Sequence, residues 1–167
     1  MRLSVHAGES LGVDYDLLAA QAASLLEAER DLIANAANFA AFVYWELPDL
    51  NWAGFYFPTD GGDLLLGPFN GRPACTRLAK GRGVCGAAFA SGETIVVDDV
   101  HAFPDHIACD AASASEIVVP LRGRDGVFGV FDIDSPKVAR FTDADRAGIE
   151  RLVAVFVASV RERAIAP

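Results

Sequence analysis

Cys75, Cys85 and Cys109 fall in one stretch that is otherwise rich in glycine, aspartate and histidine. A cysteine is a nucleophile only as its thiolate, which a neighbouring cation, protonated histidine or helix N-terminus favours. Cys109 lies in His106-Ile107-Ala108-Cys109-Asp110, followed by the small-residue loop Ala111-Ala112-Ser113-Ala114-Ser115, where a thiol would be accessible. Cys75 sits in a polar stretch near Arg72, Arg77 and Lys80, whereas Cys85, next to Val84 and Ala87, reads equally as a small apolar core residue. A carboxylate-rich segment, Phe131-Asp132-Ile133-Asp134-Ser135, follows Cys109. These residues together predict a reactive thiol beside an acidic pocket, with a second thiol available to resolve the first.

Two other chemistries use similar residues. His101, His106 and Cys109, completed by Cys75 or Cys85, could supply four zinc ligands, but no Cys-x-x-Cys pair or His-x-x-x-His helix face is present, so no metal is expected. Gly81-Arg82-Gly83-Val84-Cys85-Gly86 satisfies a dinucleotide fingerprint as a string, but Cys75-Thr76-Arg77-Leu78-Ala79-Lys80 before it is not the hydrophobic strand that motif requires. The glycines are better suited to turning the backbone tightly at the start of a short helix through Ala87, Ala88 and Phe89, where free amides could hold an anion.

The wider composition sets limits. A chain of 167 residues, 52% apolar, suffices for one well-filled core and is short for two, so one domain over 1–167 is expected, with 1–13 an extended or flexible N-terminal segment. The formal charge of −9 and scattered arginines exclude a nucleic-acid backbone as the expected partner. No segment reads as a signal peptide or a membrane span, which makes the cytoplasm the expected compartment. Thiols are kept reduced there, and an odd number of cysteines fits redox-active thiols better than a permanent disulfide framework.

Positioning those side chains falls to a small set of predicted elements. Residues 14 to 45, rich in alanine and leucine, read as helix broken near Glu29-Arg30 and ended by Leu47-Pro48-Asp49. Strands are expected at 51–57 and from Leu64, joined through Gly61-Gly62 as a hairpin, and then at 94–97, 116–121 and 127–134. The last two are joined by a tight connection at Asp125-Gly126. Thr142 caps a final helix with an acidic first turn, carrying Ile149, Leu152, Val153, Phe156 and Val160 at helical spacing. Hairpin connections favour an α+β domain on a largely antiparallel sheet.

Strand alternation then sorts the faces. Trp52, Gly54 and Tyr56 should point away from Ala53, Phe55 and Phe57; Asp132 and Asp134 should share a face with Val130 and Phe128; and Glu116 should oppose Ile117, Val119 and Leu121. If the polar faces coincide, two aromatic rings and three carboxylates line one site suited to an amine. Crowded, partly buried carboxylates repel one another, so at least one should have a raised pKa and serve as a proton donor near neutrality.

Six blocks, Asn51-Trp52-Ala53-Gly54-Phe55-Tyr56, Leu66-Gly67-Pro68-Phe69, Gly81-Arg82-Gly83-Val84-Cys85-Gly86, His106-Ile107-Ala108-Cys109-Asp110, Ser115-Glu116-Ile117-Val118 and Asp132-Ile133-Asp134-Ser135, occur in that order and together resemble the free methionine-(R)-sulfoxide reductases. These are stand-alone GAF domains. The resemblance implies an α+β fold in which N- and C-terminal helices cover one side of the sheet and a loop-rich ligand pocket occupies the other. It further implies that Cys109 attacks the sulfoxide sulfur, that Cys75 resolves the resulting sulfenic acid, with Cys85 an auxiliary or alternative resolving thiol, and that thioredoxin reduces the disulfide. Trp52, Tyr56, Glu116, Asp132 and Asp134 would bind free methionine-(R)-sulfoxide without a metal or prosthetic cofactor, in a homodimer. Ala114 stands where that family is expected to have Asn, a change that could loosen the loop after Cys109. A ligand-sensing GAF module and a purely structural dimerisation domain are the competing functions.

Overall fold

The structure is a computed structural model and describes residues 12–103 and 111–160. The predicted break in the N-terminal helix separates α1 (Tyr15–Leu26) from α2 (Leu32–Glu46). Each starts on an aspartate: Asp14 accepts from the Leu17 amide, and Asp31 from the amides of Ile33 and Ala34, satisfying donors that the first helical turn cannot pair internally. Ahead of Pro48, Leu47 is extended and closes α2.

Six strands follow, β1 (Trp52–Pro58), β2 (Leu64–Gly71), β3 (Arg77–Leu78), β4 (Ile95–Val97), β5 (Ser115–Gly123) and β6 (Gly126–Ser135). They form one sheet in the order β3-β2-β1-β6-β5-β4, every neighbouring pair antiparallel. Between β3 and β4 runs α3 (Gly83–Ser91), a 3-10 turn at Val100–Ala102 follows β4, and α4 (Asp143–Ser159) closes the order. The α4 cap reads as predicted, with an added reciprocal bond: Thr142 accepts from the Asp145 amide while the Asp145 carboxylate accepts from the Thr142 amide.

Two apolar clusters lie on opposite sides of the sheet. On one side Ala53, Phe55, Ile117, Val119, Leu121, Phe131 and Ile133 pack against α1, α2 and α4. Phe39 from α2 sits 4.9 Å from the Phe131 ring and 5.2 Å from that of Phe156 in α4, joining three elements. On the other side Trp52, Tyr56, Val118 and Val130 pack against α3 and the 3-10 turn, through Val84, Cys85, Ala88 and Val100. Helices thus cover one side and a shorter, loop-rich layer the other, as expected. Among the described residues no helix is long and apolar enough to cross a membrane.

Two irregularities depart from simple alternation. Gly54 pairs with Phe69 but Tyr56 with Leu66, so β2 carries an extra residue opposite β1. Likewise Pro120 pairs with Val130 but Arg122 with Val127, placing an extra residue on β6. The second bulge corrects one predicted facing: Phe128 packs with the helix-side cluster and does not share a face with Asp132 and Val130. The two-residue β3 and the 3-10 turn were not anticipated.

Candidate active site

Three adjacent strands bring the predicted polar residues together on the α3 side. Across β5, β6 and β1, Glu116 lies opposite Asp134, which in turn lies opposite Trp52. The next row is Val118, Asp132 and Gly54, and the third is Pro120, Val130 and Tyr56. The carboxylates therefore occupy one end of the face and the rings its flank. Gly54, in the central row, has no substitute: a Cβ there would stand 2.4 Å from Phe69 Cβ and 2.5 Å from the Trp52 ring.

That close approach builds an aromatic wall. The Trp52 ring stacks on Phe69 at 5.5 Å and on Tyr56 at 6.0 Å. Both polar tips are anchored, the Trp52 indole N–H donating to the Arg72 carbonyl at 3.2 Å and the Tyr56 hydroxyl to the Cys75 carbonyl at 2.9 Å. Strand β1 thereby fixes the loop that carries Cys75. Phe69 was not among the predicted site residues, because the bulge in β2 hides from sequence alternation which of its side chains lies under Trp52.

Helix α3 lies over the acids and contributes Cys85. Ligand atoms of Cys85, Glu116 and Asp132 lie within 4.8 Å of one another, and all three residues are buried. Burial pushes the Glu116 carboxyl well above its ordinary range, reinforced by the charge of Asp134. Burial likewise raises Asp132, with the charge of Glu116 adding to it, and drives the Cys85 thiol upward, assisted by the charge of Asp132. Tyr56 is held as the neutral phenol by burial and then by Asp132. The group accordingly holds its protons to higher pH than exposed carboxyls would, so it can combine acceptors with a proton donor. Cys85 is a free, buried thiol, poorly disposed to ionise, whereas Cys75 is disulfide-bonded.

Cys109 and His106 lie outside the described residues. The segment that leads from them into β5 is held at several points. Asn51 Nδ2 donates to Ser113 Oγ at 3.1 Å, while the Ala114 amide donates to the Ser135 carbonyl at 2.8 Å and its carbonyl accepts from the Val100 amide at 2.9 Å. Backbone pairing of Ala114 on both sides thus ties this segment to β6 and to the 3-10 turn. In the glycine segment before α3, Gly86 lets the Gly81 backbone approach, since a Cβ would meet the Gly81 carbonyl carbon at 2.7 Å.

Comparison with known proteins agrees with this arrangement. A GAF domain model matches residues 35–158. Protein YtsP of Bacillus subtilis is 55% identical over 133 residues, covering 79% of this chain and 82% of that protein. The free methionine-R-sulfoxide reductase of Escherichia coli is 50% identical over 131 residues, covering 78% of this chain and 79% of the enzyme. The chain belongs to the GAF-domain family of free methionine-R-sulfoxide reductases. A crystal structure of the free methionine-R-sulfoxide reductase from Neisseria meningitidis, in complex with its substrate, superposes with a TM-score of 0.83 at 42% identity, covering 87% of each chain. In this chain that fold places α1, α2 and α4 on one sheet face and leaves the acids, the rings, α3 and the Cys75 loop on the other.

Proposed function

We propose that this protein reduces free L-methionine-(R)-S-oxide to L-methionine, using Cys109 as nucleophile, Cys75 as resolving thiol and thioredoxin as reductant. The observation that supports this most is the co-facial array of Glu116, Asp132, Asp134, Trp52 and Tyr56, with the Cys75 loop fastened to Tyr56. Membership in a family whose Escherichia coli member is a free methionine-R-sulfoxide reductase adds to it.

The substrate ammonium is held by the carboxylates, and its methyl group rests on the aromatic wall. The Cys109 thiolate attacks the sulfoxide sulfur while a protonated carboxyl of the Glu116–Asp132–Asp134 group delivers a proton to the departing oxygen. Oxygen passes to Cys109 as sulfenic acid and the substrate leaves as the thioether. The Cys75 thiol displaces that oxygen as water, forming the Cys75–Cys109 disulfide, and a thioredoxin dithiol supplies the two electrons and two protons that reopen it. The cycle requires no metal or prosthetic cofactor.

Cys85 fits the resolving role less well than Cys75: burial disfavours its thiolate, and Cys75 carries the disulfide. A peptide-linked sulfoxide lacks the free ammonium and would leave the buried acids unpaired, which favours the free amino acid strongly. A cytoplasmic homodimer is the form proposed for the working enzyme. The test is an NADPH-coupled assay with thioredoxin, thioredoxin reductase and racemic free methionine sulfoxide, with chiral analysis of the remainder. Selective consumption of the R epimer is expected; no consumption beside active thioredoxin would favour a ligand-sensing GAF module.

A further inference from the structure

Cys85 has no bond-making part in the proposed reaction, yet its sulfur lies with the carboxylate oxygens of Glu116 and Asp132 inside 4.8 Å. One soft donor and two hard donors from three elements, α3, β5 and β6, converge there. Thiolate and carboxylate are ordinary partners of a zinc-class cation, whose bonds of about 2.0–2.3 Å place neighbouring ligand atoms of a tetrahedral site roughly 3.3–3.8 Å apart. From separations of at most 4.8 Å, the ligand atoms would have to close by no more than about 1.5 Å to reach that range.

A second observation points to a ligand at the same place. Asp132 is only 7% exposed, and its Oδ1 has no hydrogen-bond partner although Cys85 and Glu116 both hydrogen-bond to the same carboxyl group. A buried carboxylate oxygen without a donor is costly, and a cation would satisfy it.

We propose that Cys85, Glu116 and Asp132 form a binding site for a divalent transition cation of the zinc class, with water in the remaining positions. Such a cation is an inhibitor and not a cofactor: it occupies acids that, under the proposed function, hold the substrate ammonium. Cation and amino acid would thus exclude each other, a consequence that rests on that function, whereas the site itself does not.

Cobalt(II) tests the site directly, because a cysteine thiolate bound to it gives an intense near-ultraviolet charge-transfer absorption. The full-length protein is used in its disulfide form, in which Cys85 is the free thiol, and is titrated with cobalt(II) and then with zinc(II). One equivalent of cobalt is expected to produce the band and zinc to abolish it. Cys85→Ser should lose the band, while Glu116→Gln should keep it with at least tenfold weaker binding. Absence of the band from folded protein at millimolar cobalt, or its persistence in Cys85→Ser, would overturn the site. Circular dichroism of each variant separates lost binding from lost folding. Inhibition by zinc that excess methionine sulfoxide relieves would support mutual exclusion; bound zinc with undiminished turnover would overturn that consequence alone.

Discussion

Asp132→Asn should make the protein more stable and less active at once. The substitution keeps the shape of a side chain that is buried beside Glu116 and removes its charge. Two full charges within 4.8 Å of each other repel by at least roughly 3.5 kcal/mol at an effective dielectric of about 20. Proton uptake already relieves part of that repulsion, since burial, and then Glu116, raises Asp132 above its ordinary value of 3.8. A net gain of about 1–2 kcal/mol at pH 7.5 remains, and the asparagine amide can donate to the Glu116 carboxylate. For a chain of this size that corresponds to a rise of roughly 2–8 °C in Tm. Because the folded pKa of Asp132 is raised, its contribution to stability is complete below the unfolded value and is lost as pH rises through the folded one. The wild type should therefore lose stability across that window, and the variant should show a shallower slope. Asp145 acts oppositely: burial raises it, but hydrogen bonds from Thr142, Tyr15 and Arg140 prevail and lower it, so its contribution is lost as pH falls. Both proteins share that term, and the difference between their melting curves isolates Asp132. Catalytic efficiency should fall by about 10²–10⁴ if the group delivers the proton or orders the substrate. Calorimetric melts at several pH values, paired with the coupled assay, provide the readout. A variant that melts no higher than wild type at pH 7.5 would refute destabilising carboxylate crowding, and one that turns over at the wild-type rate would refute a part for Asp132 in catalysis.

Cys75→Ser should release one equivalent of methionine per protein and then stall, whereas Cys109→Ser should release none; quench-flow product counting distinguishes them, and sustained turnover of the first variant would transfer the resolving role to Cys85. Gly148→Ala would place a Cβ 2.1 Å from the Tyr15 ring, forcing α1 away from α4; thermal melts should show a loss of about 1–3 kcal/mol. Thr142→Ala removes the hydroxyl that accepts from the Asp145 amide and should cost about 1 kcal/mol in denaturant titrations with an unchanged m-value.

Local chemistry made much of this molecule legible. Thr142 is a visible cap, Pro48 is a visible stop, and alternation in β1 and β6 separates Trp52, Tyr56 and Asp132 from Phe55, Phe131 and Ile133; the caps at Asp14 and Asp31 were not read from the sequence. Facings failed where the period itself fails, at the extra residue in β6 that turns Phe128 towards the helices. Phe69 was missed for the same reason in β2. The closeness of Cys85 to Asp132 and Glu116 lay beyond sequence reasoning on different grounds: it depends on how α3 settles over the sheet, a long-range packing outcome that no spacing within α3 encodes.

Strand β6 carries the helix-side core and the acid group on successive residues, and this gives it an unusually severe tolerance for misfolding. A slip of one residue against β1 and β5 would send Asp132 and Asp134 into the aromatic cluster around Phe39 and turn Phe131 and Ile133 towards the α3 side. A one-residue slip therefore satisfies neither face, which favours pairing β5 with β6 in register, guided by the short turn between Gly123 and Gly126. The same alternation separates two evolutionary pressures along one strand. Beyond the bulge, Phe131 and Ile133 can drift with the helices that cover them, while Val130, Asp132 and Asp134 answer to whatever molecule the opposite face must hold.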